Sequence, residues 1–175
     1  MNEKKPLRVL GIDPGLAKMG WGVIDVDGTC LSLVDFGFLR TSTDLSHSER
    51  LLKVHQEMKK VVTAFEPQIA AIEEVFHGKN ARSALLTGEG RAASILACSL
   101  AGIRVVELAA TVVKLGVTGN GHASKQQVQA MVQRILGLAE PPRPFDAADA
   151  LAVAIVQAQR NRSAITVMPP GTSGS

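Results

Sequence analysis

The sequence predicts an α/β protein built on a mixed five-stranded sheet with helices on both faces. Three observations predict it. The first forty residues hold three strand patterns joined by tight turns. After about residue 50 the apolar period changes from two to that of a helix. Beyond that point strand and helix patterns alternate, and a strand–helix–strand crossover makes parallel neighbours.

Arg8–Asp13 reads as a strand that runs into the turn Pro14-Gly15. Gly20–Val26 is a second strand, Asp27-Gly28 a hairpin turn, and Leu31–Arg40 a third strand with Gly37 as its candidate bulge. Tight turns make these three an antiparallel meander. Leu51, Val54, Met58, Val61, Val62 and Phe65 then fall at helical spacing, with Ser46 or Ser48 as the cap and Pro67 as the stop. Ile69–Phe76 is a strand, Ala81–Ala101 a long Ala-rich helix that accommodates Gly88 and Gly90, and Ile103–Leu108 the fifth strand. Ala109–Leu115 reads as a short helix and Gly116–Ser124 as a Gly-rich loop. Lys125–Leu136 is a helix capped by Ser124, Ala139–Pro144 a Pro-rich connector, and Asp146–Arg160 a final Ala-rich helix. The expected organisation is a leader at 1–6, one domain at 7–160 and a disordered tail at 161–175.

The 175 residues suffice for a proper core. With no tyrosine, one tryptophan and five phenylalanines, that core must be aliphatic, so any exposed aromatic is informative. Net charge is +3, only mildly basic, but between Lys79 and Arg134 seven basic residues (Lys79, Arg82, Arg91, Arg104, Lys114, Lys125, Arg134) face two acids, Glu89 and Glu107. That imbalance suits either a phosphate-facing surface or a plain solvated face. Cys30 and Cys98 lack metal-ligand spacing and read as buried free thiols in a reducing cytosol. The scattered His47, His55, His77 and His122 do not make a zinc site, although His77 and His122 lie toward the presumed substrate side. No run reaches the roughly 18 apolar residues of a membrane helix, and the expected location is the cytoplasm.

The carboxylates carry the chemistry. Asp13 stands where the first strand ends. Glu73 interrupts an apolar strand, with Glu74 beside it. Asp146 and Asp149 stand three apart in FDAADALAVA, on one helical face. Each has an ordinary reading, and Asp146 in particular suits a helix N-terminus. If the first and fourth strands pair in parallel, Asp13 and Glu73 reach one sheet edge. Four converging acids repel one another and raise each other's pKa. A hard divalent cation, with Mg²⁺ the obvious one, relieves that. Two such ions suit phosphodiester hydrolysis.

Four segments, LGIDPGLAKMGWGVI, AAIEEVFHGKNARSAL, GHASKQQVQAMV and FDAADALAVA, resemble the RuvC family of Holliday junction resolvases over Leu7–Gln159. The resemblance implies a ribonuclease H-like fold. It implies a homodimeric endodeoxyribonuclease of recombination and repair that cuts opposed strands of a four-way junction. Asp13, Glu73, Asp146 and Asp149 match the family's metal-binding catalytic acids, for Mg²⁺ or Mn²⁺, two ions per site. Asp146 is the least fixed of them, since some members carry histidine there. Glu74 matches no catalytic position. Lys114 and Lys125 match basic residues near the active centre, with Lys125 stabilising phosphate charge in catalysis. Phe76 matches an aromatic that stacks at the junction centre; a core phenylalanine is its other reading. Lys79, Arg82 and Arg91 are candidates for phosphate contact. RuvA and RuvB are the implied partners, and Ala81–Ala101 is the expected dimer surface. The alternatives are an actin-like ATPase or sugar-kinase nucleotide domain, a non-catalytic junction-binding protein, and a ribonuclease H-like nuclease acting on RNA or other branched DNA.

Overall fold

The computed structural model describes residues 5–74 and 81–167, with side chains through Asn161. Ten elements follow in order: β1 (Leu7–Asp13), β2 (Lys18–Asp27), β3 (Cys30–Arg40), α1 (His47–Phe65), β4 (Ile69–Glu73), α2 (Ala81–Leu100), β5 (Arg104–Leu108), α3 (Ala110–Thr118), α4 (Lys125–Ile135) and α5 (Phe145–Val167). The sheet order is β3-β2-β1-β4-β5. β1, β2 and β3 form the antiparallel meander, and β4 and β5 join in parallel on the other side of β1.

Strand alternation divides the core in two. Leu10 and Ile12 of β1, with Ala70 and Ile72 of β4, pack against Val54, Met58 and Val62 of α1 and Ala97 and Cys98 of α2. Val9 of β1 and Ile69 and Ala71 of β4 face the opposite way, toward α3, α4 and α5. Helix α5 is the innermost helix, and Ala147, Ala148 and every residue from Ala150 to Val156 are buried. Its close seat depends on glycines. A Cβ on Gly11 would lie 2.0 Å from the Ala150 carbonyl oxygen, and one on Gly20 would lie 1.9 Å from that of Asp146. The backbone of α5 therefore rests almost directly on β1 and β2.

Ser46, not Ser48, caps α1, through a capping box with Glu49. The helix stops at Glu66, which adopts a left-handed conformation before Pro67. The irregularity in the β2–β3 ladder falls between Val23 and Ile24, where Val34 is the extra residue, and not at Gly37. Gly37 instead makes room for the Trp21 ring, whose Cζ2 atom would lie 2.6 Å from a Cβ there. β4 ends at Glu73, before the expected Phe76. α3 runs on to Thr118, because Gly116 lies against Val156 as part of the helix rather than in the loop. α5 continues past Arg160 to Val167. Cys98 is buried, which pushes its thiol up to about 12, but Cys30 is exposed at the hairpin, against expectation. Arg8 joins the meander to α1: its guanidinium grips both oxygens of Asp25 at 2.8 Å and donates to the Phe65 carbonyl at 3.0 Å. Among the described residues no helix is long and apolar enough to cross a membrane.

Candidate active site

Sheet register places the first two acids. Ile12 of β1 is level with Ile72 of β4, so the next residues, Asp13 and Glu73, leave neighbouring parallel strands at the same end. Both belong to the alternation that includes Gly11 and Ala71, so both face α5. Glu74 falls on the other alternation and is exposed, with its N–H donating to the Leu108 carbonyl.

The other two acids arrive on α5. The Pro144 carbonyl accepts from the N–H groups of Ala147 and Ala148 and opens the helix, placing Asp146 in its first turn. Gly20 is the cross-strand partner of Asp13, and it is also the residue on which the Asp146 backbone rests. This glycine sets the height of Asp146 above the sheet. Nothing in the local sequence signals this role, since Gly20 reads only as the start of a strand. Gly90 acts similarly from the other face: a Cβ there would lie 2.4 Å from the Gly15 carbonyl carbon, so α2 closes on the turn that follows Asp13.

The acids act on one another's charge. Burial, then Asp149, then Glu73, with a smaller contribution from Asp146, hold the Asp13 carboxyl well above the usual carboxylate range, and Lys125 opposes them. Burial and then Asp149 raise Glu73, against Lys125 and Lys114. Lys125 Nζ donates to Asp149 Oδ2 at 2.8 Å. Burial works against the Lys125 charge, but the hydrogen bond and charge of Asp149, with Asp13 and Asp146, outweigh it and raise its pKa. Lys125 opens α4, where Ser124 and Gln127 form a reciprocal capping box. Ser124→Ala should cost about 1 kcal/mol of stability. It should also weaken cleavage modestly by loosening the Lys125 backbone, as denaturant titration and initial rates would show.

Among the described residues no three of these acids are close enough to hold a metal ion between them as they stand. The donor set nonetheless fits a hard cation, since every candidate ligand is a carboxylate and Asp13 is short of positive charge. Lys125 supplies part of that charge through its ion pair with Asp149.

Arg82 is exposed at the start of α2. Arg91 is less available than expected, since its guanidinium pairs with Glu107 of β5 and its side chain is only 20% exposed. Phe76 and Lys79 lie outside the described residues, as does His77. His47 pairs with Glu89 at 3.2 Å, and His55 faces the Ala93 carbonyl. His122 is exposed.

The family model for crossover junction endodeoxyribonuclease RuvC matches residues 9–157. The chain belongs to the RuvC family. The RuvC of Chloroflexus aggregans is 49% identical over 152 residues, covering 87% of this chain and 93% of that one. The RuvC of Afipia carboxidovorans is 44% identical over 161 residues, covering 92% and 94%. Among solved structures, Thermus thermophilus RuvC in complex with a Holliday junction superposes with a TM-score of 0.85 at 36% identity, covering 90% of this chain and 96% of that one. The yeast mitochondrial Holliday junction resolvase superposes at 0.61 with 12% identity and shares the fold. RuvC membership makes the ribonuclease H-like architecture and the class, a metal-dependent endodeoxyribonuclease, plain, and it displaces the actin-like ATPase reading.

Proposed function

We propose that this chain resolves four-way DNA junctions. In this reading Asp13, Glu73, Asp146 and Asp149 hold Mg²⁺ or Mn²⁺, with two ions at each site. What supports it is that strand register and the seat of α5 bring these acids, from three separate elements, to one end of the sheet, where the others oppose the ionisation of Asp13. When bound, divalent cations supply Lewis-acid polarisation of the scissile phosphate and neutralise the acids. The chain's own groups do the rest. Asp13 and Glu73 are held rigidly by adjacent strands, which suits them to fix the position of the reacting phosphate. Lys125, released from Asp149, offers a cation to the phosphate as negative charge builds. Lys114, close enough to act on Glu73, adds a second positive charge at the rim.

Phe76, in this reading, stacks at the junction centre, and Lys79 and Arg82 contact phosphates, carrying affinity without reading sequence. Arg91 contributes by shaping the α2–β5 surface as well as by its charge. Paired cuts require two sites, hence a homodimer. Its expected face is α2, which exposes Leu85, Leu96 and Leu100 to 62%, 53% and 72%. RuvA and RuvB are the proposed partners and the cytoplasm the proposed location.

Synthetic four-way junctions and linear duplex of the same sequence, each with Mg²⁺ and with EDTA, test the reading. Mg²⁺-dependent, symmetric nicking of the junction alone is the expected result. Equal cleavage of linear duplex, or cleavage that survives EDTA, would overturn it.

A further inference from the structure

Among the described residues Phe38 and Phe145 are the only exposed aromatics, at 51% and 37%. They are far apart in sequence, on β3 and at the start of α5, yet they line one groove of about 590 Å³ with Gln129, Arg143 and Pro144. In a chain with six aromatic residues in all, the convergence of two exposed rings calls for a reason. Packing does not supply one, since both rings remain open to water. The other described aromatics, Trp21, Phe36 and Phe65, are turned into the core.

The groove adjoins the active site. Phe145 immediately precedes Asp146. Phe38 is the cross-strand partner of Gly20, which pairs in turn with Asp13 and carries the Asp146 backbone. β3 is thus two strand spacings, about 10 Å, from β1. That distance is two or three nucleotides of a stacked strand at roughly 3.4 Å each. Arg143 is exposed and has no carboxylate partner among the described residues. Gln129 donates from Nε2 to the Pro142 carbonyl at 2.7 Å and holds the connector as the groove's far wall. Two aromatic faces beside an unpaired guanidinium complement a nucleotide, with base on ring and phosphate on cation.

We propose that this groove seats one unstacked base of the substrate strand, within about three nucleotides of the cleaved phosphate, between Phe38 and Phe145, with Arg143 on its phosphate. The proposal rests on the junction-cleavage reading and adds a positioning subsite to it.

The test pairs Phe38→Ala/Phe145→Ala with junctions carrying a single abasic site, walked over the three nucleotides on each side of the cut. The double variant should lose roughly tenfold to a hundredfold in kcat/KM on intact junction. At one position the abasic site should cost the wild type as much and cost the variant nothing further. In EDTA, 2-aminopurine at that position should be quenched on binding wild type and not the variant. Phe38→Leu/Phe145→Leu guards against misfolding: it should keep the wild-type melting temperature and still show the loss. Wild-type rates in either double variant, or losses that multiply with the abasic effect at every position, would overturn the subsite. Failure of the wild type to cut intact junction would overturn the junction reading and this one together.

Discussion

Gly20→Ala should reduce junction cleavage by at least roughly a hundredfold in a protein that still folds. The added Cβ would stand 1.9 Å from the Asp146 carbonyl oxygen and 2.9 Å from the Ala147 nitrogen. Both are backbone atoms of a buried helix, so no side chain can turn aside. The first turn of α5 must lift from the sheet, and Asp146 and Asp149 lift with it. A displacement on the order of 1 Å at reacting groups is enough for a hundredfold loss. Overpacking should also cost roughly 1–3 kcal/mol of stability. Gly88→Ala is the matched control. It makes the same change in α2, where nothing lies within 4 Å of the new Cβ. It should gain about 0.5–1 kcal/mol from the removed helical glycine, which calibrates the stability effect of an added methyl that meets no backbone. Initial rates and denaturant titrations of both variants decide the matter. Full activity in Gly20→Ala would mean that Asp146 does not depend on this contact.

Asp13→Asn should abolish cleavage, by at least roughly 10³-fold, while making the metal-free protein more stable at neutral pH. Burial and the neighbouring acids raise the folded-state pKa of Asp13 above its unfolded value. Between those two values the folded state binds more protons than the unfolded one, so stability falls as pH rises through that window. Below the unfolded pKa the carboxyl is protonated in both states and the penalty vanishes. Above the folded pKa the penalty is complete. The amide carries no charge to desolvate. The stability advantage of Asp13→Asn should therefore be present at pH 7 in EDTA and disappear in acid. Each kcal/mol gained should raise the melting temperature by about 2–4 °C for a chain of this size. Mg²⁺ should narrow the difference by stabilising the wild type more, because a ligand stabilises the state that binds it. Junction binding by the variant should be retained or tightened, since a negative charge facing phosphate is gone. Lower stability in Asp13→Asn at pH 7 in EDTA would contradict a destabilising cluster of acids. Loss of binding and folding together would favour a structural role for Asp13.

These two variants mark different sources of function. Asp13 is expensive to fold and needed for chemistry, a combination common at active sites. Gly20 does no chemistry and is needed because it is small.

Much of the fold was readable from pattern. Period-two runs bounded by Asp27-Gly28 located the meander, and the change of period located α1. The capping signals at Ser46 and Ser124 lie in the local sequence, and both caps are present with their capping boxes. The errors fall where long-range contacts override local preference. Gly116 reads as a loop residue until Val156 is beside it, and Gly37 reads as a bulge until the Trp21 ring fills its space.

Sequence alone determined the element order, the candidate acids and the family, because periodicity, turn chemistry and motif spacing are carried by residues near one another in the chain. It left open whether those acids meet, what Gly20 is for, that Lys125 pairs with Asp149, and that Phe38 and Phe145 share a groove. Those facts belong to strand register and to the seat of α5 on the sheet. The seat of α5 arises from close packing between segments more than a hundred residues apart, and the β1–β4 register from segments about sixty apart, and no local pattern records such distances.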